Sequence, residues 1–281
     1  MNLPSSREAR RCRPLLGTYV EITAAGLEEE KLQNAIAAAF AAVERVQFSM
    51  SVHAPGSELS RLNREAFDRS VKVNAKLFEV LSRAGQLAAE SNGAFDHTIA
   101  PTLARWGLLP ASLRRKPGGT WREVVLSPGR WVRFLRPLAV DLGGIAKGFA
   151  VDEAIKALRK RGVVSAVVNA GGDLRVFGPQ PSIIHLRDPS RPRTFAGIVS
   201  LQEAALATSS PCFTERGWRG SRVSHLVDSV RQSAITGPVS VTVRAAECWL
   251  ADALTKAVLN APRRARELMA KYNAEAVVLA L

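Results

Sequence analysis

The chain has 281 residues, 47% of them hydrophobic and 23% charged, which is ordinary for a folded protein with a substantial core. No apolar run approaches the ~20 residues of a membrane helix, and the three cysteines (Cys12, Cys212, Cys248) form neither a disulfide framework nor a metal spacing. The net charge of +14 favours an anionic partner, yet it is spread in short Arg/Lys runs that read as solvated surface.

Residues 1–13 read as a basic, loosely ordered tail, and residues 14–281 as a single domain. The first residues lack the apolar segment of a secretory signal, and scattered reduced thiols fit a cytosolic setting, so a cytoplasmic location is expected. Residues 19–23 alternate as a strand does. Leu32, Ile36, Phe40, Val43 and Val46 then recur at helical spacing and predict a helix over 28–48. Asn74 caps a second helix that stops at Asn92-Gly93. Residues 107–130, rich in Pro, Gly and Arg, read as a long surface loop. Strands are expected at 131–134 and 138–141, a helix at 147–161, and a β-branched strand at 163–168. Short strands follow near 182–187, 196–201, 204–208 and 223–227. Val239–Val243 alternates cleanly, helices cover 247–260 and 263–272, and 276–281 is a last strand. Helices alternating with many hairpin-like strands indicate an α+β fold rather than a purely parallel sheet.

Residues 141–148 read Asp-Leu-Gly-Gly-Ile-Ala-Lys-Gly. A carboxylate, a glycine turn and a lysine at the mouth of a helix bring a phosphate-bearing ligand close to backbone N–H groups. The stretch is neither a Walker loop nor Gly-x-Gly-x-x-Gly. Asp252 and Thr255 stand three apart on a predicted helix and offer oxygen ligands to one cation. Together the two stretches suggest a site for a metal-bound pyrophosphate. His225, on a short strand, is a natural general base for a hydroxyl. Phe95-Asp96 follows a helix stop, where Asp96 either contacts a ligand or caps the segment from Thr98. Residues 169–173, Asn-Ala-Gly-Gly-Asp, form a second glycine turn.

These residues occur in the order of a known set. Pro14-Leu15-Leu16-Gly17-Thr18, the stretch 48–53 with 57–63, Gly93–Pro101, Asp141–Asp152, Ala207–Ser210, Ser224-His225 and Ala251-Asp252-Ala253 resemble the motifs of the ApbE family, the FAD:protein FMN transferases. The resemblance implies an ApbE-like fold of mixed, mostly antiparallel sheets with packed helices. It implies an enzyme that takes FAD and Mg²⁺, moves FMN to a Ser or Thr hydroxyl of an acceptor flavoprotein, and releases AMP. By position, Leu16, His53, Ala94, Phe95, Asp96, Asp141 and Lys147 fall where the family contacts FAD. The main-chain oxygen of Gly144 and the Asp252 carboxylate fall at the metal, and His225 where a base takes the acceptor proton.

The chain departs from the pattern in several places. The threonine usual four residues after the metal aspartate is Lys256, with Thr255 one position earlier. Either Thr255 substitutes as ligand, or Lys256 places a charge where the metal would be. His53 stands for a common tyrosine, His97 for a proline, and Thr208-Ser209-Ser210-Pro211 for Thr-Ser-Gly. Two rivals share the site: an FAD pyrophosphatase, with water as nucleophile, and a flavin-binding protein without catalysis. A nucleic-acid binder would rest on charge alone, and no recognisable module supports it.

Overall fold

The computed structural model describes residues 8–115, 119–191 and 193–280. In chain order the strands are β1 (Glu8–Leu15), β2 (Thr18–Ala25), β3 (Val71–Lys72), β4 (Val124–Ser127), β5 (Trp131–Phe134), β6 (Ser165–Ala170), β7 (Asp173–Phe177) and β8 (Ser182–Arg187). They continue with β9 (Phe195–Leu201), β10 (Ala204–Ser209), β11 (Arg216–Trp218), β12 (Ser221–Val223), β13 (Val227–Asp228), β14 (Ser233–Ala234), β15 (Val239–Ala245) and β16 (Glu275–Ala280). The α-helices are α1 (Glu29–Met50), α2 (Glu58–Glu65), α3 (Ala75–Glu90), α4 (Ala100–Arg105), α5 (Ala146–Arg159), α6 (Cys248–Asn260) and α7 (Pro262–Lys271).

A seven-stranded sheet of order β1-β2-β6-β7-β10-β15-β16 organises the molecule, and every neighbouring pair in it is antiparallel. The α+β expectation holds. Helix α5 packs between α1 and α6, and all three lie on this sheet. Alternation along the strands explains how. Val20, Ile22 and Ala24 of β2, Val168 of β6, Ala205 and Ala207 of β10, and Val241 and Val243 of β15 share one buried core with Phe40, Phe149 and Leu254 of the helices. The intervening Leu174, Val176 and Leu206 join a second cluster with Leu186 and Leu201 of the β8–β9 hairpin. The middle of the sheet is thus covered on both faces.

Several places differ from the sequence reading, among them the strand expected at 223–227, which is interrupted so that His225 lies between β12 and β13. Glu8–Arg13, expected as part of a loose tail, pair with β2 in register Glu8↔Ala25 to Arg13↔Val20; residues 1–7 lie outside the described residues. The charge of Arg10, Arg11 and Arg13 suggested a tail, but an edge strand tolerates charge because its side chains stay in water. The loop read at 107–130 contains two 3₁₀ turns, Ala111–Arg115 and Trp121–Glu123, and then β4, which pairs with β5. Residues 138–140 are not a strand. They run buried past α2, with Val140 exchanging hydrogen bonds with the Asn63 side chain at 2.8 and 2.9 Å.

Candidate functional site

One end of the large sheet opens into a cavity of about 1480 Å³. That exceeds the ~300–1,000 Å³ typical of a small-molecule pocket and suits a dinucleotide. Two tight hairpins form part of its wall. Leu16 and Gly17 join β1 to β2, and Gly171 and Gly172 join β6 to β7; all four have positive φ (57°, 71°, 65° and 103°). This is the two-residue turn whose twist matches paired strands. Leu16 is the unusual member, because a leucine rarely occupies left-handed backbone. Its N–H is held by the Gln47 side chain at the end of α1.

The Gly143-Gly144 turn leads into α5 along another wall. Asp141 receives backbone N–H groups of Gly143 and Leu142; burial raises its pKa against that pull. The helix start that the sequence predicts there is present, at Ala146. Gly148 lies against α6 so closely that a β-carbon would sit 2.2 Å from the Cys248 carbonyl oxygen. That approach lets the Gly148 N–H donate to Asp252 Oδ2 at 3.2 Å. Asp152, one turn further, accepts the N–H groups of Cys248 and Trp249 at 3.0 and 2.9 Å and pairs with Arg175 at 2.5 Å. A buried carboxylate therefore satisfies the free donors at the start of α6.

Four charges meet between α5, α6 and β7. Lys147 pairs with Asp173 and stands 3.8 Å from Asp252 Oδ2; Lys256 pairs with Asp252 Oδ1 and donates to the Asp252 carbonyl at 3.0 Å. Asp173 and Asp252 are buried. Burial opposes the charge on Asp252, but Lys147 and Lys256 outweigh it and hold the carboxyl below its usual range. Burial and the neighbouring Asp252 push Asp173 the other way. Lys147 is raised: burial works against its charge, and Asp173 and Asp252 overcome it.

The family's implied metal can be tested against these donors. Thr255, expected to turn toward the site with Asp252, does not line the cavity. Its buried hydroxyl donates to the Asp252 carbonyl at 2.6 Å and meets Ser209 Oγ at 2.7 Å. Residues four apart share a helix face more closely, so Lys256 is the side chain that follows Asp252 toward the cavity. A β-carbon on Gly144 would lie 3.5 Å from Lys256 Cε. The corner between Gly144 and Asp252 thus holds a lysine, and among the described residues no cluster of three His, Cys, Asp or Glu surrounds it. Gly144, Asp252 and Thr255, as arranged, do not fit a divalent cation.

The other expected residues converge. Leu16, His53, Ala94, Phe95, Asp96, Asp141, Gly144, Lys147 and His225 all line the cavity. Asp96 accepts from the Thr98 N–H and hydroxyl at 2.7 and 2.6 Å, so it serves its own loop and faces the cavity too. Burial raises its pKa. His225 stands at the cavity rim, where its surface is open to solvent but neighbouring protein still partly desolvates the ring; that desolvation first, then Arg216 and His53, lowers its pKa. His97, read only as a departure from a motif, is buried with neither ring nitrogen paired, and burial takes it to about 4. Asn260 escaped the sequence reading. Its amide donates to the carbonyls of Ala94 and Val227 at 2.9 and 3.1 Å and fixes the Phe95 loop to α6. The i+4 spacing from Asp252 was the available signal for Lys256; nothing local marks Asn260.

The ApbE family model matches residues 16–278. The chain belongs to the ApbE family. Relatives named FAD:protein FMN transferase include one of Rhodobacter capsulatus, 31% identical over 87% of this chain and 50% of its own length, and one of Vibrio cholerae, 29% identical over 77% and 70%. The match thus spans about half the length of the first. The fold agrees with the ApbE protein of Thermotoga maritima at TM-score 0.86 and 24% identity, over 97% of this chain and 94% of that one. The flavin transferase ApbE of Vibrio cholerae gives 0.79 and 24%, over 97% and 93%. The ApbE fold, expected from the motifs, is therefore present. Among the described residues no helix is long and apolar enough to cross a membrane.

Proposed function

We propose that this ApbE chain transfers FMN from FAD to a Ser or Thr hydroxyl of an acceptor flavoprotein and releases AMP. The observation that carries the reading is the convergence of the Gly143-Gly144 turn, Lys147, Phe95-Asp96 and His225 on one cavity large enough for a dinucleotide. The acceptor oxygen forms a bond to the phosphorus on the FMN side. The bond from that phosphorus to the bridging oxygen breaks, the bridging oxygen leaves on AMP, and the hydroxyl proton passes to the neutral His225 imidazole.

The chain's own groups have separable tasks. Backbone N–H groups at the start of α5 and the Lys147 charge favour the pyrophosphate. Leu16, His53, Ala94 and Phe95 supply apolar and aromatic surface for the flavin or adenine, and Asp96 and Asp141 supply acceptors for polar edges. Mg²⁺ is the charge carrier that the resemblance implies, with Gly144 and Asp252 as its ligands and Thr255 added on its spacing from Asp252. Those residues do not fit it as they stand, so no step runs through it.

The test is AMP release from FAD, with and without an acceptor protein carrying a Ser/Thr flavinylation site. Acceptor-dependent AMP together with a fluorescent acceptor band supports the transferase. AMP without labelling identifies the FAD pyrophosphatase instead. Bound FAD with no AMP under any condition leaves a flavin-binding protein.

A further inference from the structure

We infer that the Lys256 ammonium stands in for a divalent cation, holding Asp252 and offering its charge to the pyrophosphate, so that this chain binds FAD without a metal. The inference rests on the reading of the cavity as an FAD site.

Position is the first argument. Lys256 lines the cavity, whereas Asp252 is fully buried and does not. The ammonium ends on Asp252 Oδ1, and its stem passes Gly144, the two ligands that the family resemblance assigns to a metal. A cation arriving at that corner has to expel the lysine first.

Charge is the second. Asp173 and Asp252 are each already paired with an ammonium, Lys147 and Lys256, so neither carboxylate is free to draw a dication. Mg²⁺ needs about six oxygens in near-octahedral array. Here the Thr255 hydroxyl is committed to Asp252 and Ser209.

Donor count is the third. An ammonium has three N–H groups. Lys256 directs two at Asp252, one to the carboxylate and one to the carbonyl. One remains for an oxygen that enters from the cavity. Asp252 thereby acts as the anchor that aims Lys256, much as it would otherwise anchor a metal.

The first measurement uses the wild-type protein without flavin, titrated with Mn²⁺ and followed by electron paramagnetic resonance. The second follows FAD binding by flavin fluorescence in excess EDTA, for wild type, Lys256→Arg and Lys256→Met, with folding of each variant checked by circular dichroism. Wild type should take up no stoichiometric Mn²⁺ and should bind FAD equally well in EDTA. Lys256→Met, which keeps the stem, should lose about tenfold in FAD affinity, and Lys256→Arg should keep most of it. Uptake of one Mn²⁺ that Asp252→Asn abolishes overturns the inference, as does a large loss of wild-type FAD binding in EDTA or full binding by a folded Lys256→Met. Both wild-type measurements decide even where a variant does not fold. If wild type binds no FAD in any medium, the flavin reading fails, and the Mn²⁺ titration alone decides whether the lysine keeps a cation out.

Discussion

The backbone N–H of Gly148 donates to Asp252 Oδ2 at 3.2 Å, joining the starts of two helices that lie about a hundred residues apart in the chain. The contact exists because Gly148 has no side chain. Its absent β-carbon would collide with the Cys248 carbonyl, which is backbone and cannot swing aside. Gly148→Ala should therefore destabilise the fold by about 1–3 kcal/mol or more, as overpacking does. Urea denaturation measures it, and unchanged stability would show that the two helices do not need this approach.

Asp152 should matter to stability and not to ligand chemistry. It is buried, pairs with Arg175 and accepts two N–H groups at the start of α6. Asp152→Ala removes all three partners at once. Breaking such a buried pair costs about 3–5 kcal/mol, toward the lower end here because Arg175 keeps some contact with water. A thermal melt with no measurable change would refute the assignment.

His97 ties stability to acidity. In the unfolded chain its ring takes a proton below its ordinary value of 6.5; in the folded chain burial delays this to about 4. Between those values the unfolded state binds more protons, so stability falls as pH drops through the window. The loss approaches about 3 kcal/mol at the acid end. His97→Leu should flatten the slope in urea midpoints taken from pH 7 to pH 4.5; an equal slope in both proteins would place the acid sensitivity elsewhere.

His225 ties turnover to acidity in a different way. Enclosure by the protein, then the Arg216 charge, lowers its pKa from the ordinary 6.5, so the imidazole is neutral at pH 7. If it removes the acceptor proton, the acid limb of kcat/KM lies below pH 6.5. His225→Gln should then reduce transfer about 10²–10⁴-fold and leave FAD binding intact. A limb above pH 7, or near-normal transfer by the variant, would remove His225 from the reaction.

Much of this was legible in the chain because local rules and tertiary demands agree. The stripe from Leu32 to Val46 is buried in α1, and the Asn74 side chain caps α3 by accepting the Leu77 N–H at 2.8 Å. The glycine turns at 143–144 and 171–172 both border the cavity. The failures have physical causes. Arg10, Arg11 and Arg13 hid an edge strand, because charge marks exposure rather than disorder. Residues 138–140 look like a strand but find their backbone partner in a side chain, Asn63, 77 positions away. Thr255 was expected beside Asp252, but spacing alone does not say which of two neighbouring side chains turns outward. The sheet supplied the answer when Ser209 of β10 took the Thr255 hydroxyl.

The two margins of the large sheet are unlike. β1 carries Arg10, Arg11 and Arg13 within a few residues, all exposed, so a second copy brought alongside meets its own charge. β16, at the opposite margin, has no charged side chain from Ala276 to Ala280 and leaves Val277 and Val278 44% and 53% exposed. Unpaired N–H and C=O groups invite another strand wherever charge does not discourage it. Among the described residues, the two margins of the sheet thus differ in the charge that guards their edges, with β1 lined by arginines and β16 by apolar side chains.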